Sequence, residues 1–413
     1  MRGFGGMSKR FDRFAKAFSA GGPRGAPAVA YPSLTGSSAA FAAATLAVDR
    51  GGVVLAVTAG LPEADTLFSD LEAVADEVGV RVLEFPPVIE DDNNSAAARL
   101  KVSAVLGAYA IRPYPLVIVS PVMALREGVV SSEKVSQAEI ALSVGKTMPS
   151  SAPPPTFTHL QEKLLAAGYR RVAEVSSPGE FSVRGGVLDA WSPDVDRPVR
   201  AEFFGDDLES LREFDVATQV SVRKIEEAHL APVALGENAG KTAVLDLLPR
   251  HSTILQLDYN DYAGEMAALL SVGAGSTADL LSSFHMVYTG DPAPRDVPTV
   301  SFVTSPLPGF SEQRVTDAML VERVRDSLKK YLASERRKGA LVVEDDALSG
   351  GFACDGLVVV TKGDRIPGAR RRLTAVGARF RTSAAGERLT EVMDIEPGEL
   401  VVHLDYGIGR FLG

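Results

Sequence analysis

Residues 31–41, YPSLTGSSAAF, are placed like a turn that binds the phosphates of a nucleotide. The apolar run Val29-Ala30-Tyr31 before them predicts a short buried strand, and the alanine-rich run after them predicts a helix. A strand, a turn of small residues and a helix form the setting of the phosphate-binding loop G-x-x-x-x-G-K-[ST]. The stretch therefore raises the question whether this chain binds a nucleotide.

Most of the residues that such a loop needs are replaced. Glycines let the backbone approach the phosphates, the lysine contacts them, and the hydroxyl residue binds Mg²⁺. Here both glycine positions hold serine, Ala39 takes the place of the lysine, and Ala40 takes the place of the hydroxyl residue. Only Thr35 and Gly36 keep the expected character. The pattern predicts a turn of the right shape without the groups that hold a nucleotide.

A second candidate site lies on a predicted strand, PVRAEFF. Alternate residues of a strand point to opposite faces, so Arg200 and Phe204 share the face opposite Ala201. The same alternation in EFSVR turns Arg184 outward. An outward phenylalanine beside arginines is typical of a protein-binding hot spot. The alternative is that a loop buries Phe204 and that the arginines form weak surface ion pairs.

Two other stretches imitate nucleotide motifs outside their structural context. GENAGKT, residues 236–242, is one residue short of the loop spacing and follows a proline loop instead of a strand. ALVVEDD, residues 340–346, resembles a strand that ends in metal-binding acids, but we interpret its carboxylates as solvated. The five histidines show no metal-ligand spacing, and no nucleophile has a base beside it.

Arginines are concentrated in RIPGARRRLTAVGARFR. Such a run contacts nucleic acid or an acidic partner in some proteins, and more often forms an exposed connector between domains. We favour the connector. The arginines concerned are Arg365, Arg370, Arg371, Arg372, Arg379 and Arg381.

Length and composition restrict the function further. A chain of 413 residues accommodates about two to four domains. A net charge of −10 disfavours nonspecific DNA binding by the chain as a whole, although a local basic patch remains compatible with it. The single cysteine, Cys354, excludes an internal disulfide framework and a cysteine-based zinc site. A single cysteine also fits a reducing cytoplasm, which is the expected location, and no apolar run approaches the roughly 20 residues that span a bilayer.

The hydrophobic pattern divides the chain. Strands alternating with helices over residues 26–130 predict a parallel sheet covered on both faces. Over residues 170–225 the period changes to two, which predicts a separate β-rich module. Phe11, Phe14 and Phe18 have helical spacing, so an N-terminal amphipathic helix is expected to pack its phenylalanines on the first domain.

A resemblance joins these observations. GEFSVRGGVLDAWSP…PVRAEFFGDDLESLREFDVATQ closely resembles the domain that bacterial transcription-repair coupling factors (Mfd) share with the excinuclease subunit UvrB. PGELVVHLDYGIGRFLG resembles the start of the RNA-polymerase-interacting domain of those factors, which UvrB lacks. The two stretches in this order resemble the N-terminal part of a transcription-repair coupling factor.

The resemblance implies a multidomain α/β fold. It comprises a parallel-sheet domain with a degenerate, UvrB-like phosphate loop, an inserted β-rich α+β domain, a third small α/β domain and the start of a Tudor-like β-barrel. The expected ranges are 1–25 for the N-terminal helix, 26–130 and 221–295 for the two parts of the first domain, 131–220 for the inserted UvrA-binding domain, 296–385 for the third domain and 386–413 for a linker and the barrel start.

The resemblance also implies that the nucleotide site is inactive. In UvrB an apolar strand ends in Asp-Glu, whereas here Asp258 remains and Tyr259 replaces the glutamate. The degenerate site would comprise Thr35, Gly36, Ala39, Ala40 and Asp258. We therefore expect no cofactor and no catalysis for this chain, with ATP and Mg²⁺ confined to the translocase motor of a longer protein.

The resemblance further implies partners. By motif position, Arg184, Arg200 and Phe204 would bind UvrA. The contact with the RNA polymerase β subunit would start at Gly407, Ile408, Gly409 and Arg410. DNA would be bound through the motor, which the N-terminal module helps to autoinhibit. Since the motor motifs are not in this sequence, we expect it to be a fragment of a longer protein. We expect polymerase binding by this chain to be incomplete.

Two alternatives stay open. One is a UvrB-like, ATP-dependent DNA-repair enzyme, which needs a lysine where this sequence has Ala39. The other is a stand-alone transcription regulator, which needs the complete small barrel.

Overall fold

The computed structural model describes residues 8–20, 26–89, 93–109, 113–144, 157–193, 195, 197–233, 241–272, 283–310, 318–366, 400–403 and 407–410. The chain divides into a large unit, Met1–Leu373, and a small one, Thr374–Gly413. Only the two short strands near residue 405 are described in the small unit.

The helices of the described ranges are α1 Lys9–Ala20, α2 Ser38–Arg50, α3 Leu61–Val78, α4 Asn93–Tyr109, α5 Ser132–Ala138, α6 Phe157–Ala166, α7 Val244–Leu247, α8 Ala263–Val272, α9 Ala318–Arg337 and α10 Lys362–Arg365. The strands are β1 Ala28–Tyr31, β2 Val53–Thr58, β3 Arg81–Glu84, β4 Leu116–Pro121, β5 Val129–Val130, β6 Ile140–Ser143, β7 Arg170–Arg171, β8 Glu180–Arg184, β9 Val187–Ala190, β10 Val199–Phe204, β11 Asp207–Phe214, β12 Ser221–Ile225, β13 Glu227–Leu230, β14 Lys241–Thr242, β15 Thr253–Gln256, β16 His285–Thr289, β17 Leu341–Glu344, β18 Phe352–Cys354, β19 Leu357–Val360, β20 Leu400–His403 and β21 Gly407–Arg410.

A six-stranded parallel sheet forms the first layer of the large unit, in the order β1-β16-β15-β2-β4-β3. Every residue of β2 and β4 is buried, as expected for apolar strands that are covered on both faces. The predicted α/β class with a parallel sheet is confirmed. The last two strands of this sheet, β15 and β16, follow the β-rich segment in the chain, so that segment is inserted between strands of one sheet.

The second sheet has the order β12-β11-β10-β9-β8-β7 and is antiparallel except for the pair β7 and β8. Its inner face buries Phe181, Leu188 and Ala201 against Leu160 and Leu164 of α6. The β-rich module predicted from the period of two is therefore present. We call the face of this sheet opposite α6 the outer face.

Through its phenylalanines, helix α1 joins the parallel-sheet layer to the third segment of the large unit, residues 296–366. Phe14 is fully buried, with its ring centroid 5.4 Å from those of Phe41 and Phe302. Phe18 stacks on Tyr31 at 4.5 Å. The predicted amphipathic helix and its packing on the first domain are confirmed. Burial of a phenylalanine side chain contributes about 1.5–3 kcal/mol, so this cluster anchors α1 strongly.

The third segment carries a small sheet with the order β17-β19-β18, against which Leu328 of α9 packs. In the small unit β20 and β21 form an antiparallel pair, and the Tudor-like barrel stays a prediction. Within the described ranges no helix is long and apolar enough to cross a membrane.

Candidate functional site

The outer face of the second sheet carries a row of polar residues across four strands. Ser182 of β8 lies opposite Asp189 of β9, Asp189 lies opposite Arg200 of β10, and Arg200 lies opposite Arg212 of β11. Because this row is set by antiparallel register, it brings together residues from the two stretches of sequence that predicted the site. Arg184 and Phe204 belong to the same face, toward the other end of the strands.

Asp189 is the centre of this face. Its side chain is 1% exposed, and its carboxylate accepts hydrogen bonds from Arg200 Nε at 2.7 Å and Arg200 Nη2 at 2.8 Å. Arg184 Nη2 donates to the same carboxylate at 3.2 Å. A buried carboxylate needs such partners, since an unpaired charge in this position costs several kcal/mol. One aspartate therefore positions both predicted arginines.

The guanidinium of Arg200 is fixed from a second side as well. It lies 4.6 Å from the ring centroid of the buried Phe214, and Nη1 donates to the carbonyl of Gln219 at 3.2 Å. The hydrogen bond to Asp189 raises the pKa of Arg200 above its ordinary value, against the opposing effect of burial. Sequence alternation predicted the correct face for Arg200, and the structure adds that its side chain is only 20% exposed.

Phe204 stands free at the end of β10. Its side chain is 76% exposed, the highest value among the exposed large hydrophobic residues of the described chain. The following residue, Gly205, has a φ of +64° in the turn that leads to β11, a conformation that favours glycine. The alternative in which a neighbouring loop buries the ring is therefore wrong. The same face of the sheet thus carries an exposed aromatic ring and two oriented guanidinium groups.

Sequence reasoning missed Asp189, although a signal was present. In VLDA, Leu188 and Ala190 point inward, so alternation places Asp189 on the outer face. Its role depends on the cross-strand register, which no local window contains. The buried hydroxyl of Ser182, the neighbour of Asp189 in the row, has no hydrogen-bond partner in the described part of the chain.

The turn that resembles a phosphate loop is filled by another part of the chain. The backbone N–H of Ser37 donates to the carbonyl of Gly350 at 2.9 Å, and Gly350 N donates to Ser37 Oγ at 3.2 Å. A Cβ atom on Gly36 would lie 2.6 Å from the carbonyl oxygen of Gly351. The amide that would face a phosphate oxygen is therefore bonded to a backbone carbonyl, and Gly36 is needed for this close approach.

Thr304 closes the same turn from the other side. Thr35 N donates to Thr304 Oγ1 at 2.7 Å, and the hydroxyls of Ser38 and Thr304 are 3.1 Å apart. Ala40 is completely buried. The serine and threonine hydroxyls that replace the loop's usual residues thus hold protein groups.

Asp258, the fifth residue predicted for the degenerate nucleotide site, lies beyond the end of another strand of the parallel sheet. It follows β15, and β16 separates β15 from β1 in the sheet. Burial raises the pKa of Asp258, with further contributions from the negative charges of Asp261 and Glu63. Within the described ranges there is no group of three or more acidic, histidine or cysteine residues that would hold a metal ion.

The structure gives other roles to described residues of the two stretches that resemble nucleotide motifs, residues 236–242 and 340–346. Lys241 and Thr242 form β14, paired with β5, whereas a phosphate-loop lysine begins a helix; residues 236–240 lie outside the described residues. The interpretation of residues 340–346 as carrying solvated acids is wrong in part. Asp345 forms an ion pair with Arg10.

Of the arginine run that was interpreted as a connector, only Arg365 lies in the described part of the chain. Arg365 forms ion pairs with Glu344, at 2.6 Å, and with Asp346. The other five arginines lie outside the described residues. Gly407, Ile408, Gly409 and Arg410 form β21, and their side chains also lie outside the described part.

A comparison with known protein families finds a match over the range of the second sheet. Residues 151–235 match the family model described as UvrB interaction domain, and this range contains all six strands of the sheet. The matched family is thus similar to the module whose outer face carries the Asp189 cluster.

Curated relatives extend the similarity. A transcription-repair-coupling factor of Bacillus subtilis (strain 168) is 26% identical over 201 residues, covering 48% of this chain and 16% of the relative. A factor of Staphylococcus haemolyticus is 32% identical over 179 residues, 43% of this chain and 14% of the relative. A factor of Mycobacterium tuberculosis is 29% identical over 213 residues, covering 46% of this chain and 15% of the relative. The matches thus span between 14% and 16% of the length of these relatives.

Proposed function

We propose that this chain, a relative of the transcription-repair-coupling factors that carries a UvrB interaction domain, recruits UvrA to nucleotide excision repair through the outer face of its second sheet. The observation that carries the proposal is the exposure of Phe204 on the same sheet face as two arginines that one buried aspartate orients. Aromatic and arginine residues dominate binding hot spots because they bury much surface with little loss of conformational freedom.

The preorganisation of the arginines supports this assignment. Arg200 has little rotamer freedom left to lose on binding, because Asp189 and Phe214 already hold its guanidinium. Arg184 remains 54% exposed and presents its other donors to a partner. A partner surface with a carboxylate near an apolar pocket fits this combination of a ring and two guanidinium groups.

Phe204→Ala is the sharpest test of the interface. The ring is exposed, so its removal should leave the fold intact and weaken UvrA binding by at least about 2 kcal/mol, or about thirtyfold in Kd. Isothermal calorimetry of the purified chain against UvrA measures the change. The matched control is Leu165→Ala, since Leu165 is 53% exposed on α6, on the opposite side of the same sheet. An equal loss in both variants, or no loss in Phe204→Ala, contradicts the proposal.

We further propose that the chain is not itself a catalyst. The bond between Ser37 N and the Gly350 carbonyl supports this, because the phosphate position at the start of α2 is taken by protein. The longer relatives' name indicates coupling of transcription to repair, and we propose that an ATP-driven motor, its DNA contact and its autoinhibition belong to such a longer protein. Residues 407–410 would begin the contact with the RNA polymerase β subunit, in a cytoplasmic protein.

Titration with Mg²⁺-ATP tests the closed turn. We expect no saturable heat up to millimolar ATP, either for the parent chain or for Ala39→Lys, because a restored lysine does not move residues 349–351 out of the turn. An ATP-binding protein titrated under the same conditions serves as the positive control. Saturable binding by the parent would instead favour the UvrB-like, ATP-dependent repair enzyme.

A further inference from the structure

Helix α9 has a basic face that the proposed function does not use. Six of its cations are exposed, and no ion pair or side-chain hydrogen bond holds any of them within the described part of the chain. The protein as a whole carries a net charge of −10, so this concentration is local. The residues are Arg323, Arg325, Lys329, Lys330, Arg336 and Arg337.

These cations form two rows. At about 100° per residue, Arg325, Lys329 and Arg336 lie within about 40° of one another around the helix axis. Arg323, Lys330 and Arg337 form the second row, about 120° away, in the same manner. From residue 323 to residue 337 the rows extend about 21 Å along the helix.

Packing explains why this face is free. The opposite side of α9 buries Val324 and Leu328, and Tyr331 packs against the small sheet. Two acids, Glu322 and Asp326, are exposed between the rows and leave an excess of four positive charges. Interaction with the helix dipole accounts for Arg336 and Arg337 in the last turn, and not for the four cations that precede them.

The basic face continues onto α1. Arg13 Nη1 donates to the carbonyl of Gly339 at 3.1 Å and to that of Gly356 at 2.8 Å, just beyond the end of α9. The exposed Arg13 therefore lies beside the C-terminal end of the rows, although 326 residues of chain separate it from Gly339. Two basic elements from distant parts of the sequence thus meet on one surface.

We propose that this face, the six cations of α9 extended by Arg13, binds the phosphate backbone of duplex nucleic acid. Two rows on the sides of one helix suit the two phosphate strands that border a major groove about 12 Å wide, into which a helix fits. Single strands are disfavoured, because the face presents no exposed aromatic ring for base stacking among its described residues. A membrane surface would need an apolar face beside the charges, which α9 uses instead for internal packing.

The salt dependence of binding identifies the contacts. The purified chain is titrated against a fluorescein-labelled 20-base-pair duplex of arbitrary sequence, and anisotropy is followed between 50 and 200 mM NaCl. Four to six phosphate contacts predict a slope of log K against log salt between about −3.6 and −5.4. Arg325→Gln/Lys329→Gln/Arg336→Gln should reduce the magnitude of this slope by about 2.7 and weaken binding at 50 mM at least about tenfold.

Two controls keep the test decisive. Glutamine has a helix propensity close to those of lysine and arginine, so circular dichroism should show the same helix content in the variant. Arg81→Gln/Lys134→Gln/Arg250→Gln makes the same change of charge on exposed residues elsewhere and should bind like the parent. An equal loss in this control, or no duplex binding by the parent at 50 mM, overturns the proposal. Tighter binding of a polyglutamate peptide than of the duplex overturns it as well, in favour of an acidic protein partner.

Discussion

Asp189→Ala is expected to lower the free energy of unfolding of the second-sheet module by about 3 kcal/mol. The substitution leaves the guanidinium of Arg200, with a side chain only 20% exposed, without its counter-charge. Removing one partner of a buried pair costs about 3–5 kcal/mol, and the residual exposure of Arg200 puts this pair at the lower end. The loss exceeds what an isolated surface ion pair would produce.

The only tryptophan of the chain makes the measurement specific. Trp191 directly follows β9, and its Nε1 donates to the carbonyl of Val195 at 3.1 Å, so its fluorescence reports the unfolding of this module in urea. Arg184→Ala is the control, because Arg184 is 54% exposed and its pairing with Asp189 should contribute less than about 1 kcal/mol. Equal urea midpoints for parent and Asp189→Ala would show that the cluster does not stabilise the module.

A further variant of the same residue separates stability from binding. In Asp189→Asn the side-chain volume is kept while the charge is lost, so Arg200 keeps a hydrogen-bond acceptor in place. UvrA affinity should then fall while most of the fold is retained, because the orientation of both arginines depends on the carboxylate. A double-mutant cycle with Arg200→Ala gives the coupling energy between the two side chains directly.

Phe14→Ala should destabilise the contact between α1 and the parallel-sheet layer by about 3–5 kcal/mol. Phe14 is fully buried, and its ring lies between 5.4 and 5.8 Å from the rings of four other phenylalanines. Removal of the ring leaves a cavity at the point where α1, α2 and β18 meet. The rigid neighbours cannot all move to fill it.

Hydrogen exchange measures this loss where it occurs. Backbone amides of α2 should lose about 10²–10⁴-fold in protection, whereas those of β9 to β11 serve as an internal control and should be unchanged. Lys16→Ala is the matched variant on the same helix, since its side chain is 74% exposed. Unchanged protection in α2 for Phe14→Ala would mean that the aromatic cluster contributes little to holding α1.

Local pattern was sufficient for the elements and for the direction of the site residues. The apolar runs of β2 and β4, the phenylalanine spacing of α1 and the alternation in β10 each lie within a few residues of sequence. The period of such a helix or strand decides the face on which each of its residues lies. The outward placement of Arg184, Arg200 and Phe204 could therefore be predicted. That alanine, at position 39, replaces the lysine of a phosphate-binding loop could likewise be recognised without a structure.

Contacts between distant segments could not be predicted in this way. Asp189 holds Arg200 only because the register of β9 and β10 places them opposite each other. Ser37 meets Gly350, 313 residues along the chain, because the third segment packs its glycine-rich loop into the turn before α2. By itself the sequence determined which groups are present and which way each strand and helix turns them. Only the tertiary structure decided their partners, because close packing of separate segments sets those distances.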